Sequence, residues 1–323
     1  MTKRILLLGK NGQVGSALEA PLARLGNVFA YDRLTCNLSD PDKLEAVVET
    51  IRPNVIVNAA AYTAVDQAEK DESACNLINS QAPSILAAAA TRHNALLVHY
   101  STDYVFDGMQ DRAYVETDAP NPLNSYGRSK LAGDYGIRDA SGKYIILRVG
   151  WVYSETGKNF AKTILRLASE RERLTIVNDQ FGAPTSASLI ANTTVEIVRR
   201  YFDTPPTTTF PYGLYHLAAA GRASWHDFAL ELVTEARRIG HDLRVDTQNI
   251  VPIPTEQYPT PALRPQSAVL NTLKLRETFN LSLPEWRSDV SGVVYQLAAE
   301  HALDRLRAFT SDRPQAAAAT RSR

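Results

Sequence analysis

Short apolar runs recur through the first half of the chain, separated by stretches in which apolar residues return with helical periodicity. The first run, RILLLG over residues 4–9, does not alternate with polar positions, as expected of a strand buried on both faces. QVGSALEAPLARLG predicts a helix ending at Gly26, and NVFAYD (27–32) a second strand. DPDKLEAVVETIRP predicts a helix with Asp40 as its N-cap. A third strand is expected over NVIVNAAAY (54–62), a helix over SQAPSILAAAATRH, and a fourth strand over ALLVHYSTDYVF (95–106). A helix then starts near Ser125, and KYIILRVGWVY (143–153) predicts a fifth strand. This alternation is the pattern of a Rossmann-type, doubly wound parallel sheet of the α/β class.

Past residue 155 the alternation loosens. KNFAKTILRLASERER predicts an amphipathic helix, LTIVNDQFGAPTS a strand and loop, SLIANTTVEIVRRYF another helix. The linker DTPPTTTFP precedes GLYHLAAAG and the helix SWHDFALELVTEARRIG, and VPIPTEQYPTPALRP reads as a proline-punctuated loop. The expected division is a dinucleotide-binding domain over 1–155 and, over 156–308, a smaller C-terminal substrate-binding lobe with some strands returning to the main sheet. The low-complexity end, 309–323, predicts disorder.

Composition narrows the class. The formal net charge is zero, with 44% hydrophobic and 22% charged residues, and no basic stripe interleaved with aromatics, so nucleic acid is not an expected partner. Cys36 and Cys75 stand far apart without a C-x-x-C motif, which predicts neither a disulfide framework nor a zinc site. The apolar run near the N-terminus is too short for a signal-peptide core or a membrane span. Cytoplasmic localisation is the expectation, with no membrane partner, and the sequons at Asn37, Asn192 and Asn280 carry no meaning there.

Directly after the first predicted strand, GKNGQVGSAL sets Gly9, Gly12 and Gly15 in G-x-x-G-x-x-G spacing at the opening of a helix. Glycines allow a tight turn and let backbone approach a pyrophosphate, which then sits on the helix N-terminus. Asp32 closes the second strand, where an acidic residue would take ribose hydroxyls, whereas Arg33 beside it suits a 2′-phosphate. NADPH and NADH both remain open as cofactors.

Of the fourteen tyrosines, only Tyr126 has a lysine at i+4, Lys130, which places the two on one helix face. Thr102 ends the fourth predicted strand, so its hydroxyl and the Tyr/Lys face can converge at the carboxyl edge of the sheet. Reducing a ketone needs a hydride on carbon and a proton on oxygen. A phenol with its ordinary pKa of ~10 is a poor acid-base group at neutrality, and a neighbouring ammonium would lower it. Thr102 would polarise the carbonyl.

These motifs, with VIVNAAAYTAVDQAE, VHYSTDYVFDG, PLNSYGRSKLAGD, GWVYSETGKNFAKTILRLA, NDQFGAPTS and YPTPALRPQSAVLNT, resemble the dTDP-4-dehydrorhamnose reductase family of the extended short-chain dehydrogenase/reductases over about residues 3–290. The resemblance implies NAD(P)H-dependent reduction of the 4-keto group of dTDP-4-dehydro-β-L-rhamnose, with Thr102, Tyr126 and Lys130 as catalytic residues. It implies cofactor contacts along Gly9, Asn11, Gly12, Gln13, Val14 and Gly15, at Asp32, Arg33, Asn37 and Leu38, at Ala60, Ala61, Tyr62 and Thr63, and at Tyr100, Tyr126 and Lys130. It implies substrate contacts at Thr102, Asp103, Trp151, Gln180 and Arg264. Some members dimerise around a magnesium ion held by carboxylates. Here Ala17, Ser188 and Arg287-Ser288 stand at those places, so no metal is expected and the protein should be a monomer or a weak homodimer. Two other readings stay open: another nucleotide-sugar reductase or epimerase on this scaffold, and a non-catalytic regulatory subunit resembling a partner of methionine adenosyltransferase.

Overall fold

Ile5, Leu6, Leu7 and Leu8 are all fully buried in strand β1 (Arg4–Leu8), and a strand covered on both faces belongs inside a parallel sheet. The computed structural model, which describes residues 2–299, places it there. The tail predicted over 309–323 lies outside the described residues. After β1 come α1 (Gln13–Ala23), β2 (Asn27–Tyr31), α2 (Pro41–Ile51) and β3 (Val55–Asn58). Two short helices, α3 (Val65–Ala68) and α4 (Glu72–Asn76), and a π-helical turn (Leu77–Gln81) lead into α5 (Ala82–Arg92). Then follow β4 (Leu96–Thr102), α6 (Ser125–Ala140) and β5 (Tyr144–Val149).

The remaining strands are β6 (Val152–Tyr153), β7 (Leu174–Val177), β8 (Phe181–Gly182), β9 (Thr185–Ser186), β10 (Gly213–His216), β11 (Ala223–Ser224) and β12 (Ile250–Ile253). Helices α7 (Phe160–Glu170), α8 (Ala187–Asp203), α9 (Trp225–Arg238) and α10 (Leu273–Thr278) are threaded among them. Six strands make one sheet in the order β10-β5-β4-β3-β1-β2, every pair parallel. The chain runs outward from β1 in both directions, so the crevice beside the carboxyl ends of β1 and β3 is the switch point where such folds bind ligands.

Alternation along the strands feeds two cores. Ile5 and Leu7 join Leu18 and Leu22 of α1 and Ile190 and Ile197 of α8, while Leu6 and Leu8 meet Leu44 and Val48 of α2 and Leu86 and Ala90 of α5. A separate cluster holds α7 to α9 through Ile164, Leu165, Phe228 and Leu232, closed by Trp286 and Val290. Asp40 caps α2 as expected, its side chain accepting from the Lys43 N–H.

Several expected strands end early. β3 stops at Asn58 and β4 at Thr102, where Asp103–Val105 form a 3₁₀ turn. β5 stops at Val149, because Trp151 takes a left-handed conformation with φ 51° before the chain resumes as β6. Within the loop predicted over 251–265, residues Val251 to Ile253 are instead strand, paired in parallel with β7. Pro252 is tolerated there because β12 pairs on one side only. None of the helices among the described residues is long and apolar enough to cross a membrane.

Candidate active site

The three loop glycines do distinct jobs. Gly9 adopts φ +83°, and a Cβ on it would lie 2.7 Å from the Ala60 nitrogen. A Cβ on Gly15 would lie 2.0 Å from the Gly9 carbonyl oxygen. Gly12 stands at the N-cap of α1 without a side-chain cap, so the first N–H groups of that helix are left for a ligand. An uncapped helix start in a cradle that any Cβ would fill fits a dinucleotide pyrophosphate. Val14 packs on the core beneath, and the Gln13 side chain reaches the segment between β6 and α7, where Ser154 and Asn159 donate to its Oε1 at 3.2 and 2.9 Å.

At the adenosine end, Asn11 donates to Asp32 Oδ2 at 3.1 Å, while Asp32 Oδ1 accepts from the N–H groups of Leu34 and Thr35 and from the Thr35 hydroxyl. The Thr35 hydrogen bonds hold this carboxyl below the usual carboxylate range. Arg33 is exposed. Asn37 closes its own turn by accepting from Ser39 N–H. For Leu38 and Tyr100 the structure changes which atoms are on offer. Leu38 is buried with Cys36 and Leu44, so its side chain is spent on the core and only its backbone could meet a ligand. The Tyr100 side chain points to the α8 face, bonded to Thr194 at 2.7 Å, because neighbouring strand residues face opposite ways.

Segment 60–63 is pinned from below. Asn79, fully buried in the π-helical turn, accepts from Tyr62 N–H at 2.8 Å and donates to Tyr62 O and to Ser129 Oγ. This holds Ala60, Ala61, Tyr62 and Thr63 along the crevice, with Ala61 and Thr63 exposed to it. Sequence reading missed Asn79, which stands in the polar-rich run NLINSQ and carries no local signal.

Tyr126 and Lys130 do share one face of α6, whose start is capped by Asn124 accepting from Gly127 N–H. Thr102 sits opposite: its hydroxyl donates to Asp103 Oδ1 at 3.1 Å and accepts from Tyr104 N–H. Burial pushes the Tyr126 phenol above its ordinary pKa, against the Thr102 hydroxyl, which favours the phenolate. Burial likewise raises the Asp103 carboxyl to about 7. Lys130 is buried and its pKa is pushed down to about 8 by desolvation, with Asp134 and Cys75 opposing. Its Nζ donates to the Tyr100 carbonyl at 2.6 Å and contacts His99 Nε2 at 3.0 Å. Lys130 therefore faces the sheet, and burial keeps Tyr126 in its neutral phenol form.

An aromatic pair joins the segment after β5 to the start of α9. Trp151 stacks on Trp225 with ring centroids 3.4 Å apart and planes at 2°. Gln180 locks this pair, its Oε1 accepting from Trp225 Nε1 while its Nε2 donates to Thr255. Trp225 was not expected from sequence, which placed it only within the predicted helix SWHDFALELVTEARRIG. Arg264 donates to Asp66 at 2.9 Å and to Ala262 O, and lies over Tyr104, whose ring meets that of Tyr126 edge-on at 6.0 Å. The three positions weighed for a metal do other work: Ala17 packs against the core, Ser188 bonds Ser186, and Arg287 pairs with Glu231 and Glu285. Among the described residues there is no group of three or more His, Cys, Asp or Glu side chains placed to hold a metal ion.

A family model described as the RmlD substrate binding domain matches residues 3–299. The dTDP-4-dehydrorhamnose reductase of Shigella flexneri is 46% identical over 297 residues, 91% of this chain and 97% of that protein. Its counterpart in Burkholderia thailandensis is 45% identical, covering 92% of this chain and 100% of that protein. The crystal structure of the Bacillus anthracis dTDP-4-dehydrorhamnose reductase in complex with NADP superposes with a TM-score of 0.82 at 32% identity, over 92% of this chain and 100% of that one. With a glycine cradle for a dinucleotide, a Tyr/Lys face at its mouth and likeness along nearly its whole length, the chain belongs to the dTDP-4-dehydrorhamnose reductase family.

Proposed function

We infer that the protein reduces the 4-keto group of dTDP-4-dehydro-β-L-rhamnose with NADPH or NADH, giving dTDP-L-rhamnose for cell-surface polysaccharide. The observation that supports this most is the convergence of Thr102, Tyr126 and Lys130 at the sheet's carboxyl edge, beside the glycine cradle. When bound, the nicotinamide cofactor supplies the hydride. The chain supplies the rest. Tyr126 gives its phenolic proton to the ketone oxygen, Thr102 hydrogen-bonds that oxygen as charge develops, and Lys130 restores the proton balance on the same helix face. Asp32 with its carboxylate held ionised suits ribose hydroxyls, and exposed Arg33 suits a 2′-phosphate, which favours use of both cofactors. The test is to follow NADH and NADPH oxidation with the dTDP keto-sugar and its UDP counterpart. Stoichiometric consumption with the dTDP sugar is expected. Turnover without net consumption would mean an epimerase, and none with any keto-sugar would overturn the reading.

We take Arg264 to bind the diphosphate, supported by the Asp66 carboxylate that orients its guanidinium. Arg264→Gln should raise KM for the sugar nucleotide about 10- to 100-fold with kcat nearly unchanged, the loss of one charge-assisted pair. An unchanged KM in steady-state assays would remove Arg264 from the site. We further take the protein to be cytoplasmic and a monomer or weak homodimer, since Arg287 already holds the glutamates near it. Gel filtration should give the same elution with and without EDTA; a dimer that EDTA dissociates would refute this.

A further inference from the structure

Behind Lys130 lies a buried polar row that the proposed chemistry does not yet use. His99 on β4 and Asn58 on β3 are register partners in the sheet, each about 1% exposed. Asn58 Oδ1 accepts from Ala60 N–H at 3.2 Å, which fixes its amide so that Nδ2 points at His99 Nδ1, also at 3.2 Å. Nδ1 is thus the acceptor, and a neutral imidazole then carries its proton on Nε2. That Nε2 lies 3.0 Å from Lys130 Nζ. The imidazole is neutral, since burial and the neighbouring Lys130 charge hold His99 well below its usual pKa.

An N–H aimed at an ammonium is a donor facing a donor. The contact becomes a hydrogen bond only when Lys130 is an amine. When Lys130 is an ammonium, the imidazole must move its proton to Nδ1 and Asn58 must turn its amide, giving up Ala60. The other groups facing Lys130 push the opposite way: Asp134 one turn along α6, itself paired with Arg148 of β5 at 3.2 Å, and the Cys75 thiol of α4. Tyr126 lies one turn before Lys130 on the same helix.

We propose that His99, oriented by Asn58, is a positioning residue for the reduction: it fixes where Lys130 Nζ sits and turns an N–H toward it, so that Lys130 can release a proton. In turnover, Tyr126 passes its phenolic proton to the ketone oxygen as carbon receives the hydride. The phenolate takes a proton from the Lys130 ammonium, the resulting amine accepts from His99 Nε2–H, and one solvent proton returns Lys130 to the ammonium. One proton and one hydride are consumed, and the protein ends as it began. The inference rests on Tyr126 and Lys130 being the reacting pair.

The experiment is the pH profile of kcat/KM for the full chain and three variants, across the neutral and alkaline range. In Asn58→Asp the carboxylate takes the Nδ1 proton and leaves Nε2 as an acceptor that holds the ammonium, so the Lys130-linked limb should move up by about one pH unit. His99→Phe should lose kcat about tenfold, and His99→Gln, whose amide can keep an N–H donor near the Nε2 position, should recover part of it. Profiles and kcat that coincide with wild type in all three would overturn the proposal. Should a variant fail to fold, ¹⁵N NMR of wild type decides: the His99 proton should move from Nδ1 to Nε2 as pH rises, and one tautomer throughout overturns it. A Lys130→Met variant with wild-type activity would instead defeat the underlying assignment.

Discussion

Tyr126→Phe is expected to lower kcat about 1,000-fold while leaving KM for the sugar nucleotide within about twofold of wild type, the loss of a general acid with little loss of binding. The substitution removes one oxygen and leaves the ring, which keeps its edge-on contact with Tyr104 at 6.0 Å. The Asn124 cap and the α6 backbone do not involve the hydroxyl, so the fold should be intact by circular dichroism. Thr102 remains to hold the ketone oxygen, but it cannot replace the acid. An aliphatic hydroxyl is too weak an acid, and to hold the ketone oxygen Thr102 must turn its one proton away from Asp103. Steady-state oxidation of NADPH checks this, and wild-type turnover would end the assignment of Tyr126.

The environment of that phenol explains why the sequence reading needed amending. From spacing alone, Lys130 is a cation that lowers the Tyr126 pKa. In the fold its Nζ is turned to the Tyr100 carbonyl and His99, and burial raises the phenol instead. The spacing was legible because a helix face is a local property. The direction in which a long side chain spends its hydrogen bonds depends on strands far away in sequence. Strand β1, the capped helix α2 and the glycine turn were legible for the same reason: their signals are apolar runs, a cap and glycine spacing within a few residues.

What was illegible has a common cause. Residues after Asn58 and Thr102 continue the apolar run, yet they line the crevice or its turn rather than a ladder, so the predicted strands overran. A lone histidine in VHYST reads as core, and only the register β3 against β4 brings Asn58 to it. Trp225 meets Trp151 only because the start of α9 packs on the segment after β5, and Gln180 fixes that meeting. Pairing of β12 with β7 was hidden by prolines that an edge tolerates.

Gly15→Ala carries the other large expected effect, and its sign opposes helix propensity. Alanine favours a helix over glycine by about 1 kcal/mol. Here the added Cβ would sit 2.0 Å from the Gly9 carbonyl oxygen, 2.7 Å from its carbon and 3.0 Å from the Lys10 Cα, all backbone atoms with no rotamer to yield. Overpacking of this kind costs about 1–3 kcal/mol, which outweighs the propensity gain. The relief available is for α1 to move off the loop, carrying away the uncapped N–H groups that fit the pyrophosphate. A displacement of about 1 Å at such a site is enough for roughly 100-fold, so NADPH affinity should fall by about that factor, with a lower melting temperature. Gly142→Ala is the matched control: its added Cβ meets nothing within 4 Å, and binding should be unchanged. Fluorescence titration of NADPH reads both variants. If Gly15→Ala binds like Gly142→Ala, the close approach of helix and loop is not what shapes the cofactor site.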